Sequence, residues 1–275
     1  MTHITSRQNP VVGLYRAVAD GVDRSLMLLD GVHLVTDALD AHTAIVDAVV
    51  LHDALGDAAI APLVARLREA GAELRSANEP VMAALSPVRS PSRLVARARR
   101  DGTTLGTLFE AAAPVVVAAV DVQDPGNLGA IVRVAEAGGA TGVAAVGRSA
   151  DPFGWKALRG SMGSALRLPI AMLADPTTLV AEARRKGCRL VASQPRGGKS
   201  FDDADLSGPL VLFVGGEGAG LPSALVDAAD LLVSIPMAPK VESLNTAVSA
   251  ALLVYEARRQ RRARDTHGIA LSRSS

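Results

Sequence analysis

The sequence predicts an α/β fold arranged as two domains, a smaller N-terminal one and a larger C-terminal one on a parallel sheet. Three observations carry this. Val-rich apolar runs such as Val115–Val120 and Leu210–Val214 read as strands buried on both faces. Amphipathic stretches of helical period alternate with them, the pattern of βα units. The alternation breaks near Asp101-Gly102-Thr103-Thr104 and resumes with longer elements, and 275 residues suffice for two modest cores.

In the first hundred residues, Leu26–Leu29 reads as a strand and Val32–Leu39 as a helix. Val46–Leu51 is strand-like, Ile60–Ala70 helical, Glu73–Arg75 a short strand, Val81–Leu85 a short helix, and Val95–Ala98 a closing strand. Residues 1–100 are expected to form one domain, 101–113 a linker, 114–262 a second domain and 263–275 a disordered tail. In the second domain strands are expected near 115–120, 142–146, 168–173, 189–193, 210–214 and 231–235. Helices are expected near 128–137, 154–161, 177–187, 222–228 and 243–262. In the last of these, Leu244, Ala247, Val248, Ala251, Leu252 and Tyr255 make one apolar stripe. No internal repeat is visible.

Composition narrows the classes. No run of about 18 uncharged apolar residues occurs, and the N-terminus lacks a basic-then-apolar signal pattern, so a membrane partner is not expected. The lone cysteine, Cys188, rules out an internal disulfide and suits a reducing cytoplasm; a small core residue is its plain reading. His3, His33, His42, His52 and His267 are scattered, without metal-ligand spacing, and no metal is expected. A net charge of +1 does not by itself point to nucleic acid, but its distribution is uneven. Arg89, Arg93, Arg97, Arg99 and Arg100 crowd one segment, and Arg258, Arg259, Arg261, Arg262 and Arg264 another. Planar guanidinium forks suit phosphate. Two alternatives stand beside that reading: a general preference for Arg, 25 against 4 Lys, and cations at a helix C-terminus.

The most informative segment is Asp121-Val122-Gln123-Asp124-Pro125-Gly126-Asn127-Leu128, which leaves a strand, turns at Pro-Gly and opens a helix that carries Arg133. Such a junction suits a ligand site at the carboxyl end of a sheet, or is an ordinary turn with Asn127 as N-cap. Two later segments favour the site. Leu210–Val214 runs into Gly215-Gly216-Glu217-Gly218-Ala219-Gly220, and Leu231–Ile235 leads through Pro236-Met237 to Glu242-Ser243-Leu244-Asn245. In order and spacing these three segments, with Gly160–Ala165 between them, resemble the SpoU/TrmH family of RNA ribose 2′-O-methyltransferases over roughly residues 114–262. Leu29-Asp30-Gly31 resembles the acidic-Gly signature of the ribosomal-protein-like RNA-binding domain that precedes many of these catalytic domains. The basic residues usual upstream of it are thin here, and Pro91-Ser92-Arg93 replaces a family Gly.

The resemblance implies a trefoil-knotted SPOUT domain, S-adenosylmethionine as methyl donor, a ribose 2′-hydroxyl as acceptor and a homodimer packed through the last helix. It implies cofactor contacts at Gly215, Gly216, Ile235, Met237 and Leu244, where missing Cβ atoms let backbone approach and apolar side chains also serve the core. It assigns catalysis to Arg133, Asn127, Glu217, Ser243 and Asn245. A guanidinium keeps its proton throughout the physiological range, which suits Arg133 as an electrostatic stabiliser of target phosphate and oxyanion rather than as a base. Arg133 lies roughly 9 Å of helix rise beyond Asn127, within reach of a side chain leaning toward the N-terminus. An ion pair with Glu136 is the plainer alternative. Asn127 is expected to orient Arg133 or the ribose, and Glu217 to anchor Arg133 or a backbone amide. Ser243 and Asn245 are expected to open the final helix, whose free N–H groups suit phosphate or a carboxylate. The family often has Ser where Ala247 stands. Arg89, Arg93 and Arg97 are the candidate RNA ligands, with ribosomal RNA favoured over transfer RNA by the N-terminal domain.

Competing readings are a catalytically silent RNA-binding or assembly factor and a base methyltransferase on the same fold. Arg196-Gly197-Gly198-Lys199-Ser200 is a decoy: position 193 is Ser where a phosphate loop needs Gly, and Asp202-Asp203 follow instead of a helix.

Overall fold

A computed structural model describes residues 1–100 and 102–272. The chain divides into two compact units, Met1–Gly102 with Phe153–Arg167, and Thr103–Pro152 with Leu168–Ser275. Asp101 of the expected linker and 273–275 of the expected tail lie outside the described residues.

In the first unit β1 (Thr2–Ile4), α1 (Pro10–Ala19), β2 (Leu26–Asp30), α2 (Val32–Asp40), β3 (Ile45–Leu51), α3 (Ala61–Glu69), β4 (Glu73–Ala77), α4 (Glu79–Leu85) and β5 (Leu94–Arg99) follow in order. The sheet runs β1-β4-β3-β5-β2, with β5 antiparallel to both neighbours and β1, β4 and β3 parallel. Periodicity missed β1 and α1. The local signal for α1 was nonetheless present: Asn9 Oδ1 accepts from Val11 N–H at 3.0 Å, and Pro10 stands at the first helical position. Val12, Val18, Leu28, Val49, Val81, Leu85 and Val95 form the core, and Trp155 from the later segment packs against it.

A polar cluster sits inside this unit. Arg97, 7 % exposed, grips Asp47 through Nε at 3.0 Å and Nη2 at 2.6 Å. Tyr15 donates to Asp47 Oδ1 at 3.0 Å and lies under the guanidinium, and Arg75 adds a bond at 3.2 Å. Burial, then the charge of Asp47, push the Tyr15 hydroxyl well above its usual pKa, and the hydrogen bonds to Asp47 raise that of Arg97. This corrects the reading of Arg97 as an RNA ligand: its donors are committed inside the sheet. Arg93 pairs with Asp57 at 2.7 Å, and Arg89 is exposed without a hydrogen bond or ion pair among the described residues.

The second unit contains β6 (Val115–Val120), α5 (Pro125–Gly138), β7 (Gly142–Val146), β8 (Ile170–Leu173), α7 (Thr177–Arg185), β9 (Arg189–Ser193), β10 (Lys199–Ser200), β11 (Leu210–Gly215), α8 (Ser223–Ala228), β12 (Leu231–Ser234) and α9 (Thr246–Ser272). The intervening α6 (Trp155–Ser161) belongs to the first unit. The sheet order is β10-β12-β9-β11-β6-β7-β8, parallel throughout. β12 lies across β9 from its predecessor β11, a crossing compatible with the trefoil path that the family resemblance implies. Residues 101–113 hold more than a linker, because Leu105–Phe109 forms a 3-10 turn that buries Leu108 and Phe109. α9 remains helical to Ser272, where a disordered tail is expected from 263.

α9 is anchored along α5, and Gly138 permits it: a Cβ there would lie 2.1 Å from Val254. The expected single stripe of α9 divides in two. Ala247, Ala250, Leu253, Val254 and Ala257 are buried, whereas Val248, Leu252 and Tyr255 are exposed. The second Arg cluster serves the fold. Arg258 donates to Ala137 O at the end of α5, Arg261 to Ala113 O at 2.7 Å and Ser207 O at 3.2 Å, and Arg264 to Ser207 Oγ at 2.9 Å.

Removing one partner of a buried ion pair leaves the other charge uncompensated, a loss of about 3–5 kcal/mol. Arg97→Ala is therefore expected to lower denaturant stability by an amount of that order, while Arg89→Ala leaves it unchanged. Equal unfolding midpoints for the two variants would contradict the structural role of Arg97.

Candidate active site

The site is built where three loops leave the carboxyl ends of β6, β11 and β12 in one sheet. Asp121, the residue after β6, adopts φ +54, a conformation that Asp tolerates better than most side chains. Its N–H donates to Val146 O at 3.1 Å, and its Oδ1 accepts from Arg148 N–H at 2.7 Å. Asp124, not Asn127, caps α5, accepting from Asn127 N–H at 2.7 Å. The Asn127 side chain is thereby released for other work.

The loop after β11 folds back upon itself. Gly216 bridges to Gly220, and a Cβ on Gly215 would fall 2.5 Å from the Gly220 carbonyl carbon. Gly216 N–H donates to Val120 O at 2.8 Å, and a Cβ there would lie 2.0 Å from Asp121 O. Both glycines are thus demanded by the approach of the protein's own backbone. At Gly218 and Gly220, with φ +90 and +67, a Cβ would meet open space.

A directed hydrogen-bond chain ties the loops together. Asn127 Nδ2 donates to Glu217 Oε1, and Asn127 Oδ1 accepts from Asn245 Nδ2 at 3.0 Å. Asn245 Oδ1 then accepts from Ala247 N–H at 2.9 Å and Val248 N–H at 3.3 Å, capping α9. Glu217 was expected to hold Arg133 or a backbone amide; its partner is Asn127. Two of the α9 N–H groups expected to receive an anion are likewise occupied by Asn245. Buried Thr246, unforeseen in the sequence, donates to Gly215 O at 2.8 Å and seals the start of α9 onto β11.

Against this chain opens a cleft of about 530 Å³. Gly215, Gly216, Glu217, Ile235, Met237, Ser243, Leu244 and Asn245 all line it. Asn127 reaches its edge through Glu217 and Asn245. Arg133 does not line it: the residue is exposed on α5, with no hydrogen bond or ion pair among the described residues, Glu136 included. Ser193, Gln194 and Pro195, at the carboxyl end of β9, complete a wall that the sequence reading missed. The rule that ligands gather at that edge of an α/β sheet was the signal for them. The decoy loop has a structural role, since Gly198, at φ +73, packs on the Leu232 carbonyl. The volume falls within the range of about 300–1,000 Å³ usual for small-molecule sites. Apolar Ile235, Leu244 and Leu253 beside polar loop groups suit a ligand with an apolar body and a few hydrogen-bonding ends.

Known proteins share this architecture. The sequence profile of the SpoU rRNA methylase family matches residues 114–255. An uncharacterised tRNA/rRNA methyltransferase of Synechocystis is 32% identical over 268 residues, 96% of either chain. A Bacillus subtilis 23S rRNA (guanosine-2′-O)-methyltransferase is 33% identical over 69% of this chain and 74% of its own. The crystal structure of an AdoMet-bound rRNA methyltransferase from Sinorhizobium meliloti superposes with a TM-score of 0.84 at 31% identity, covering 94% of this chain and 97% of that one. The SpoU methyltransferase AviRb from Streptomyces viridochromogenes, in complex with AdoMet, gives 0.85 at 27%, over 92% and 98%. With the profile spanning more than half its length and a full-length relative above 30% identity, the chain belongs to the SpoU rRNA methylase family.

Proposed function

We propose that this protein transfers a methyl group from S-adenosylmethionine to a ribose 2′-hydroxyl of ribosomal RNA, and that it works as a cytoplasmic homodimer. Two motif loops line one cleft and the first is tied to both of them through Asn127, and this arrangement carries the reading. The relatives support it: the B. subtilis protein is named for 2′-O-methylation of 23S rRNA, and the two structural neighbours hold AdoMet. Ribosomal RNA is preferred because the first unit, a small α/β domain with exposed Arg89 and the Asp57-paired Arg93, is read as the RNA-docking part.

The bound cofactor supplies an electrophilic methyl group on a sulfonium. The chain's own residues then have three tasks. Ile235, Met237 and Leu244 give an apolar wall, and the rigid Gly215–Gly220 turn gives backbone groups without side chains in the way. Asn127 and Asn245, fixed by Glu217, present amide groups whose orientation cannot drift, suited to holding a ribose. Arg133 approaches from α5 as a permanent cation beside the substrate phosphate, where it favours ionisation of the neighbouring hydroxyl without accepting its proton. A silent RNA-binding factor would not need the cleft and the hydrogen-bond chain together.

The homodimer is assigned to α9. Val248, Leu252 and Tyr255 fall at helical spacing and remain exposed after α9 has packed on its own unit.

Arg133→Ala is expected to leave calorimetric affinity for S-adenosylmethionine intact and to lower the methyl-transfer rate by about 10²–10³-fold; unchanged turnover would remove Arg133 from the mechanism. Gly216→Ala must displace the Asp121 carbonyl, and should weaken cofactor binding by at least about tenfold, equivalent to 1.4 kcal/mol. Leu252→Glu should convert a dimer into monomers in analytical ultracentrifugation, and an intact dimer would exclude α9 as its interface.

A further inference from the structure

A cation outside the motif segments is built into the first motif loop. Arg148 stands at the carboxyl end of β7, the strand beside β6. Backbone contacts fix its place. Its N–H donates to Asp121 Oδ1 at 2.7 Å, and Gly147, at φ +68, would direct a Cβ to 2.6 Å from that oxygen. Ser149 Oγ accepts from Val122 N–H at 3.0 Å and shares its own proton between Val146 O at 2.8 Å and Ala119 O at 3.0 Å. Residues 147–149 and 121–122 therefore form one stiff step. The backbone carbonyl of the same Asp121 abuts Gly216 at the cleft wall, so Arg148 is two residue contacts from the cleft.

The guanidinium itself is held only by a weak ion pair to Asp121. Its side chain is 78 % exposed, and Nε stands 3.8 Å from Asp121 Oδ1, beyond hydrogen-bond distance. So exposed a pair binds its partners weakly and yields readily to a better-matched anion. The loops after β9, β11 and β12 line the cleft. Arg133 lies on α5, which follows β6, the partner of cleft-lining β11, and Arg148 follows β7, the next strand beyond β6.

We propose that Arg148 is a substrate-binding residue that grips an RNA backbone phosphate next to the target ribose. This rests on the RNA methyltransferase reading of the same site. A rigid backbone under an exposed, weakly paired and forked guanidinium is suited to bidentate phosphate capture.

The test uses the full chain with Arg148→Gln and Arg148→Lys, and unmodified rRNA and tRNA transcripts, taking whichever accepts methyl groups from the wild type. Arg148→Gln is expected to raise KM for RNA about tenfold with kcat retained, and to reduce the salt dependence of RNA binding by about one phosphate contact. Arg148→Lys should recover much of the KM, and calorimetric affinity for S-adenosylmethionine should be equal in all three proteins. A KM and salt slope equal to the wild type overturn the proposal, as does a loss confined to kcat. If the wild type binds S-adenosylmethionine but methylates neither RNA, the RNA reading fails first and the role of Arg148 falls with it.

Discussion

The site depends on the direction of one hydrogen-bond chain. A carboxylate only accepts, so Glu217 dictates that Asn127 turns its amide nitrogen toward it. Asn127 must then offer its oxygen to Asn245, whose own oxygen is left to cap α9. The chain runs from a negative charge to the positive end of a helix, and each step is electrostatically favourable. It joins residues 90 and 118 positions apart in sequence and leaves neither asparagine a choice of flip. A loop pocket gains the rigidity of secondary structure in this way.

Steric necessity reinforces the chain. Gly216 packs on the Asp121 carbonyl, and Asp121 holds a left-handed conformation that its side chain makes bearable by accepting from the β7 loop. Strain at one residue is thus stabilised by contacts from two strands, a pattern expected at sites that must keep fixed geometry. Thr246 closes the arrangement by bonding α9 to the Gly215 carbonyl. Displacing any one loop would therefore disturb the other two.

What was legible in the sequence follows from range. Buried parallel strands advertise themselves through runs such as Val115–Val120, and the helices between them through their period, so the longer strands of both sheets were anticipated to within a few residues. The motif residues were placed through family resemblance, since no local pattern says that Gly215, Ile235 and Leu244 meet. Two-residue β10 and the α1–β1 start were missed because short or weakly periodic elements take their stability from tertiary partners. Asn127 as an N-cap failed for a nearer reason: Asp124, three residues earlier, competes for the same role and takes it. That competition is what leaves Asn127 to join Glu217.

Arginine is where sequence alone misled most, and the reason is chemical. A guanidinium carries five donors, and a fold with many loop carbonyls and an isolated internal carboxylate offers them acceptors. Arg97 answers Asp47, and Arg258, Arg261 and Arg264 answer the ends of α5 and neighbouring loops. Crowding in sequence therefore says little about phosphate. The informative quantity is which guanidinium groups keep donors to give after folding. Arg133, and Arg148 with only a weak ion pair, do so outside either crowded segment of the sequence, while Arg97, inside one, does not. A chain of net charge +1 needs no basic surface to hold RNA at its target, provided that its few exposed and weakly paired cations stand beside the reacting sugar.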